Sequence, residues 1–95
     1  MKLYVITRRD LSLSQQAVQA GHAAIKLVQE GLHSPWDGTL VYLGIDSEEK
    51  LLLWGDKLTR KGIPWTGFRE PDMDNQLTAI ASLDDGRVLS QLRLL

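Results

Sequence analysis

Apolar and polar residues follow one another along the chain in a pattern that predicts strands alternating with helices. Four short apolar runs rich in strand-forming residues are predicted as strands: 2–7, 39–45, 63–68 and 76–81. Pro64 places the third run near a sheet edge or starts the strand itself. Helical spacing predicts three helices: 15–31, 47–61 and the short 88–92. The order β-α-β-α-β-β-(α) implies parallel neighbouring strands, right-handed crossovers and the α/β class.

Capping residues mark the ends of the predicted helices. Ser14 is the expected N-cap of the first helix. Asp46 is expected to cap the second helix, with Glu49 reaching back to complete a capping box, and Gly62 is the stop signal. Three large apolar residues form the stripe of the second helix that we expect to be buried: Leu51, Trp54 and Leu58.

The first helix carries two distinct rows of side chains at about 100° per residue. One row is apolar or small, and we expect it to press closely onto the sheet: Val18, Gly21, Ala24, Ile25 and Val28. The other row is polar and gathers within an arc of about 60° beside the first: Gln15, Gln19, His22 and Lys26. An ordered row of amides, imidazole and amine can contact a ligand or hold the preceding loop in place.

Composition narrows the class of protein. The 95 residues form one domain, 1–95, and 43% apolar content with a net charge of −1 is typical of a globular chain. We expect no membrane span, because no run of eighteen apolar residues occurs, and no leader segment, since the chain opens into a strand. The absence of cysteine favours a cytoplasmic location. The charge balance argues against an extensive nucleic-acid surface and leaves room for a local basic patch.

Candidate chemistry concentrates where strands end. The polar loop 69–75 holds three carboxylates and an arginine, and Glu70 is the carboxylate nearest the strand. The alternative is a solvated turn in which an aspartate caps backbone amides. Arg8 and Arg9 follow the first strand, where they suit phosphate contact or an ion pair with Asp10. Neither a metal-ligand spacing nor a glycine-rich phosphate loop occurs, so no metal or cofactor is expected.

The residues of the polar row on the first helix have different expected roles. The carboxamide of Gln15 does not titrate usefully, but it can orient a water molecule or a carbonyl group. We expect His22 to be a hydrogen-bonding support in preference to a base. Lys26 is expected to be solvated.

Several motifs in order resemble one known family. The segments Arg8-x-Asp10-Leu11 and Ala17-Val-Gln19-Ala-Gly-His22-Ala23 are similar to the opening of the archaeal and eukaryotic peptidyl-tRNA hydrolase, type 2. The similarity continues through three further segments in order: Asp46-Ser-Glu-Glu49, Gly62-Ile-Pro64 and Leu77-Thr-Ala-Ile-Ala81.

The resemblance implies a mixed four-stranded sheet with helices on both faces, in three layers, and cleavage of the ester between a peptidyl group and tRNA. It implies a homodimer, which three tryptophans in a small domain also favour. Gln15 lies where the family carries its catalytic lysine, Glu70 takes the place of an aspartate, and Asn75 is the nearest counterpart of a threonine. Gln19 and His22 match the family as supports of the site. The runner-up interpretation is a non-catalytic module that binds a tRNA end, a nucleotide or a protein partner.

Overall fold

A mixed four-stranded sheet forms the centre of the protein. A computed structural model describes residues 1–94 of the chain. Its strands are β1 (Lys2–Arg8), β2 (Leu40–Ile45), β3 (Trp65–Glu70) and β4 (Gln76–Asp84). They lie in the order β2-β1-β4-β3, with β1 parallel to β2 and with β4 antiparallel to both of its neighbours. The α/β class and the mixed four-stranded sheet are thereby confirmed.

Two helices cover opposite faces of this sheet. Helix α1 spans Leu13–Glu30 and α2 spans Glu48–Arg60. Alternate residues of β1 point to opposite sides, so that Leu3 and Val5 pack in the cluster with α1, whereas Tyr4 and Ile6 pack in the cluster with α2. The predicted helix 88–92 is only a 3₁₀ turn, Leu89–Gln91, and a second such turn, Pro71–Met73, links β3 to β4. In residues 1–94, neither helix is long and apolar enough to cross a membrane.

The face of α1 that meets the sheet is not the predicted one. The three large residues of the predicted face are exposed to solvent, Val18 by 48%, Ile25 by 60% and Val28 by 53%. The helix instead buries a stripe of small and amide side chains with one leucine: Gln16, Gln19, Ala20, Ala23 and Leu27. The small alanines allow close approach to the sheet. The buried amides are hydrogen-bonded, Gln19 to Glu70 and Thr78 on the sheet and Gln16 to the Leu11 carbonyl in the preceding loop, which removes the usual cost of burying them. The buried face of α1 that apolar periodicity predicted is therefore wrong, because its large apolar residues face solvent.

The N-cap of α1 also differs from the prediction. Ser12 caps the helix, because its Oγ accepts the N–H of Gln15 at 3.2 Å, and the helix begins two residues before its predicted start. Ser14 lies inside the first turn. Both serines offer the same hydroxyl acceptor, so sequence alone could not separate them.

The N-terminus of α2 is capped by Ser47 in place of the predicted Asp46. The Ser47 Oγ accepts the N–H of Lys50 at 3.3 Å, whereas the Asp46 carboxylate receives the Lys50 ammonium group at 3.0 Å. The carboxylate of Glu48 accepts the N–H of Leu77 at 2.7 Å and so ties α2 to the start of β4. The predicted N-cap is therefore wrong by one residue, and Lys50 stands where a capping box would need Glu or Gln. The Asp46 carboxylate is held by the ammonium group of Lys50, while the main-chain N–H of the same residue bonds to the Ser47 hydroxyl.

The strand directions bring three loops to one edge of the sheet. Strand β3 runs parallel to β1 and β2, because each of β1 and β3 is antiparallel to β4. The carboxyl ends of β1, β2 and β3 therefore share an edge with the amino terminus of β4. Glu70 and Gln76 face each other in the register of β3 and β4 at this edge. This is the edge at which open α/β sheets bind ligands.

Candidate active site at the carboxyl edge of the sheet

Glu70 ends β3 and caps the turn that follows it. Its Oε1 accepts the N–H of Asp72 at 3.2 Å, and its main-chain carbonyl accepts the N–H of Asn75 at 3.0 Å. Asp74 and Asn75 adopt left-handed backbone conformations, with φ of 54° and 59°, which close the connection within a few residues. Glu70 is thereby held by the main chain, and Asn75 remains exposed beside it.

The buried amide of Gln19 organises the polar groups at this edge. Its Nε2 donates to Glu70 Oε2 at 2.9 Å and to Gln15 Oε1 at 3.0 Å, while its Oε1 accepts the hydroxyl of Thr78 at 2.9 Å. A carboxylate only accepts hydrogen bonds, so Gln19 must present its nitrogen to Glu70. The oxygen of Gln19 then faces Thr78, and Gln15 must present its own oxygen to Gln19. One carboxylate fixes the orientation of both amides.

This orientation leaves the amide nitrogen of Gln15 available. Gln15 is exposed, and its Nε2 donates to no group within residues 1–94. The two N–H bonds of the Gln19 amide diverge by about 120°, so the oxygens of Glu70 and Gln15 that they bind lie about 5 Å apart. The Glu70 carboxylate and the Gln15 amide are therefore both hydrogen-bonded to the Gln19 amide at this edge. Such a pair can hold a water molecule and a carbonyl oxygen together.

Thr78 is part of this network and was missed by the sequence prediction. The pairing of β3 with β4 shifts between Phe68 and Arg69, so that Thr78 is an extra residue on β4. This β-bulge turns the fully buried Thr78 towards α1, where its hydroxyl also lies 3.1 Å from the carbonyl of Phe68. The only sequence signal was a hydroxyl residue within the apolar run 77–81.

The hydrogen bonds at Glu70 stabilise its ionised form. The amide of Gln19 is the main cause of a pKa below the ordinary carboxyl value, the N–H of Asp72 adds to it, and partial desolvation opposes it. The positive form of His22 contributes in the same direction. The exposed His22 ring stacks on Phe68 with ring centroids 4.4 Å apart. Glu70 is therefore a carboxylate at neutral pH, better suited to orienting a group than to storing a proton.

The end of the polar row lies against β3. The ammonium group of Lys26 donates to the carbonyl of Gly67 at 2.8 Å, and the side chain is exposed to solvent, as predicted. His22, Lys26 and Phe68 line a shallow pocket of about 340 Å³ together with Ile25 and Gln29. The four members of the polar row thus follow the same side of α1 from the carboxyl edge along β3.

Arg8 and Arg9 have different environments. The buried guanidinium of Arg8 binds both carboxylate oxygens of Asp10, at 2.8 and 2.9 Å, the Gln76 side chain at 2.9 Å and the Leu77 carbonyl at 3.2 Å. Arg8 is therefore engaged in the Asp10 pair that was the alternative to phosphate contact. Arg9 is exposed and donates to the carbonyl of Leu94 at 2.6 Å. Of the two arginines, Arg9 is the one that a ligand in solution can contact.

Metal ligands are not clustered in the described part of the chain, where no three His, Asp or Glu side chains lie together.

Comparison with known proteins finds another protein with a similar fold and gives no information on the chemistry. Neither a protein-family model nor a curated protein matches the sequence. The fold is similar to a solved structure of a protein of unknown function from Agrobacterium tumefaciens, Atu0240, with a TM-score of 0.73 and 17% identity over 99% of this chain and 96% of that one. At this identity the likeness establishes the shared fold alone.

Proposed function

We propose that this chain is a divergent hydrolase of the peptidyl-tRNA hydrolase type 2 kind, which cleaves the ester between a peptidyl or acyl group and tRNA. The observation that supports the proposal is the paired presentation of the Glu70 carboxylate and the Gln15 amide by the buried Gln19. The motif resemblance supplies the substrate class. A tRNA substrate would place the protein in the cytoplasm.

The proposed chemistry gives Glu70 and Gln15 complementary roles. Glu70 accepts a hydrogen bond from the attacking water, and Gln15 donates its N–H to the carbonyl oxygen on which negative charge develops. The water oxygen bonds to the carbonyl carbon, the ester C–O bond breaks, and one proton of the water is transferred to the departing ribose oxygen, while Glu70 orients the water. Asn75, exposed beside Glu70, is the second proposed donor to the substrate. Gln19 is a positioning residue, because it acts through Glu70 and Gln15.

The non-catalytic alternative also has a specific observation in its favour. The family's lysine is replaced by Gln15, and two nearby cations are already engaged, Arg8 with Asp10 and Lys26 with the Gly67 carbonyl. The low pKa of Glu70 also makes it a weak base. A module that binds a tRNA end, a nucleotide or a protein partner needs neither a base nor a catalytic cation.

Release of free tRNA from peptidyl-tRNA or N-blocked aminoacyl-tRNA separates the two functions. We expect the wild-type protein to release tRNA and both Glu70→Gln and Gln15→Ala to lose at least about 100-fold in rate. Asp72→Asn is the matched control, because it removes a neighbouring charge but keeps the N–H that Glu70 accepts. Release no faster than by Glu70→Gln would exclude the hydrolase.

Binding of intact tRNA tests the alternative. A tRNA-binding module shows affinity that falls with salt and that weakens with Arg9→Ala. Binding that is absent or independent of salt excludes the tRNA version of the module and leaves a protein partner. Arg8→Ala is a poor probe here, because Arg8 is buried in its own network.

A further inference from the structure

A pocket of mixed character lies between α1 and β3, beside the candidate active site. It holds about 340 Å³ and combines an aromatic pair, one aliphatic side chain, an ammonium group and an amide: His22, Phe68, Ile25, Lys26 and Gln29. The hydrogen-bond network of Gln19 includes none of these five side chains. The proposed chemistry at Glu70 therefore leaves the pocket without a role.

The rings of His22 and Phe68 form a stacking platform. Their centroids lie 4.4 Å apart with an angle of 46° between the planes. Phe68 is half-buried against the core cluster beneath α1 and anchors the pair, whereas His22 is exposed. An exposed ring that is backed by a second ring offers a flat surface to a ligand, and the bases of single-stranded nucleic acids stack on such side chains.

The polar side chains of the pocket can contact the rest of a nucleotide. The ammonium group of Lys26 donates to the Gly67 carbonyl at 2.8 Å and lies 3.9 Å from the carboxylate of Glu30. These two contacts hold the ammonium group at the rim, and its third N–H can donate to a ligand oxygen. The exposed amide of Gln29 presents both a donor and an acceptor, the combination that pairs with N7 and N6 of adenine.

The pocket adjoins Glu70. His22 follows Gln19 by three residues, about 4.5 Å along the helix axis, and Gln19 binds the Glu70 carboxylate. Phe68 and Glu70 are two residues apart on β3, so both side chains project towards α1. A positive charge on His22 also lowers the pKa of the Glu70 carboxyl group, as expected for neighbours. A base bound in the pocket therefore has its ribose beside Glu70.

We propose that this pocket binds the base of an adenine nucleotide, stacked on the exposed face of His22 and paired with Gln29, with its ribose directed towards Glu70. The inference rests on the proposed function for the source of the nucleotide, which is the tRNA end whose terminal ribose carries the ester. Lys26 donates to a ribose or phosphate oxygen. A free adenine nucleotide presents the same base and ribose, and the two sources are separated by experiment.

Binding of adenosine 5′-monophosphate, followed by NMR chemical shifts, tests the pocket without requiring catalysis. We expect a Kd on the order of 1 mM or tighter, and binding about 10-fold weaker in His22→Ala. His22→Phe should retain the affinity, because it keeps a flat ring. His33→Ala is the matched control, since His33 is an exposed histidine outside the pocket. Absence of binding, or equal binding by His22→Ala and the wild type, overturns the proposal.

Gln29→Leu tests the pairing with the base. The wild type should bind adenosine 5′-monophosphate more tightly than cytidine 5′-monophosphate, because the amide of Gln29 matches the adenine edge. Gln29→Leu should reduce this preference by about 5-fold or more and leave the cytidine nucleotide largely unaffected. A preference for adenine that persists unchanged in Gln29→Leu would contradict the assigned pairing.

Two forms of tRNA, with and without the 3′-terminal adenosine, identify the source of the nucleotide. Removal of this adenosine should weaken binding to the wild type by about 10-fold and have no effect on binding to His22→Ala. Equal binding of both forms by a protein that binds the mononucleotide would support a free nucleotide as the ligand. Mononucleotide binding without tRNA release refutes the hydrolase alone, whereas tRNA release without mononucleotide binding refutes this pocket alone.

Discussion

The amide of Gln19 on α1 donates a 2.9 Å hydrogen bond to the carboxylate of Glu70 at the end of β3, which joins residues 51 positions apart. The same amide contacts Gln15 and Thr78, so one buried side chain connects the start of the helix, the edge strand and the centre of the sheet. The position of Glu70 at the surface therefore depends on a residue that is itself inaccessible to solvent.

Gln19→Met should lower the free energy of unfolding by about 1–2 kcal/mol, since methionine fills the space of glutamine but cannot replace the buried hydrogen bond to Thr78. Urea denaturation measures the change. Gln29→Met is the matched control on the exposed side of α1 and should change stability by less than about 0.5 kcal/mol. Equal stability of the two variants would show that the Gln19 network contributes nothing to folding.

The pKa of Glu70 should rise towards its ordinary value of 4.5 in Gln19→Met, because the largest cause of its lowering is removed. In the wild type the folded state binds this proton less tightly than the unfolded state. The stability that Glu70 contributes is therefore complete above pH 4.5 and is lost as pH falls through the folded pKa. Titration of carboxyl carbons by NMR measures the shift.

Asp46 serves as an internal control in that titration. Its pKa is lowered mainly by Lys50, far from the Gln19 network, and it should be the same in both proteins. A Glu70 pKa that does not move, beside an unchanged Asp46, would contradict the assignment of Gln19 as its principal hydrogen-bond donor.

Thr7→Val and Thr78→Val should change stability in opposite directions. The hydroxyl of Thr7 is buried with no hydrogen-bond partner in residues 1–94, so replacing it with a methyl group should raise the free energy of unfolding by about 1 kcal/mol. Thr78→Val should lower it by about 1–2 kcal/mol, because the oxygen of Gln19 loses its donor. Denaturant titration of both variants provides the comparison, and a loss of stability in Thr7→Val would indicate an unrecognised partner.

The sequence predicts the strands well because their signal is local. The runs that form β1 and β2 are continuous and apolar, which predicts strands, and turn residues bound them. The gathering of Arg8 and Glu70 at one edge follows from strand direction, which the alternating element order already indicated.

The orientation of α1 and the full site require information that is not local. Both sides of α1 offer an apolar or small stripe, and the larger residues, such as Ile25, favour the side that the sheet does not use. The buried position of Gln19 is stable only because Thr78 and Glu70 meet it, and Thr78 is turned inward by a bulge between two distant strands. No periodicity within α1 contains that information.

Arg8→Lys should lower the free energy of unfolding by about 1–2 kcal/mol, whereas Arg9→Lys should change it by less than about 0.5 kcal/mol. The planar guanidinium of Arg8 binds both oxygens of Asp10 and also reaches Gln76 and the Leu77 carbonyl, and a single ammonium group cannot reproduce this geometry. Because Asp10 is 42% exposed, the ion pair itself adds little and the loss comes mainly from the buried hydrogen bonds. The difference between the variants should therefore persist in high salt, and urea denaturation with and without added salt measures it. Its disappearance in salt would show that the Arg8 contact is a screened surface pair.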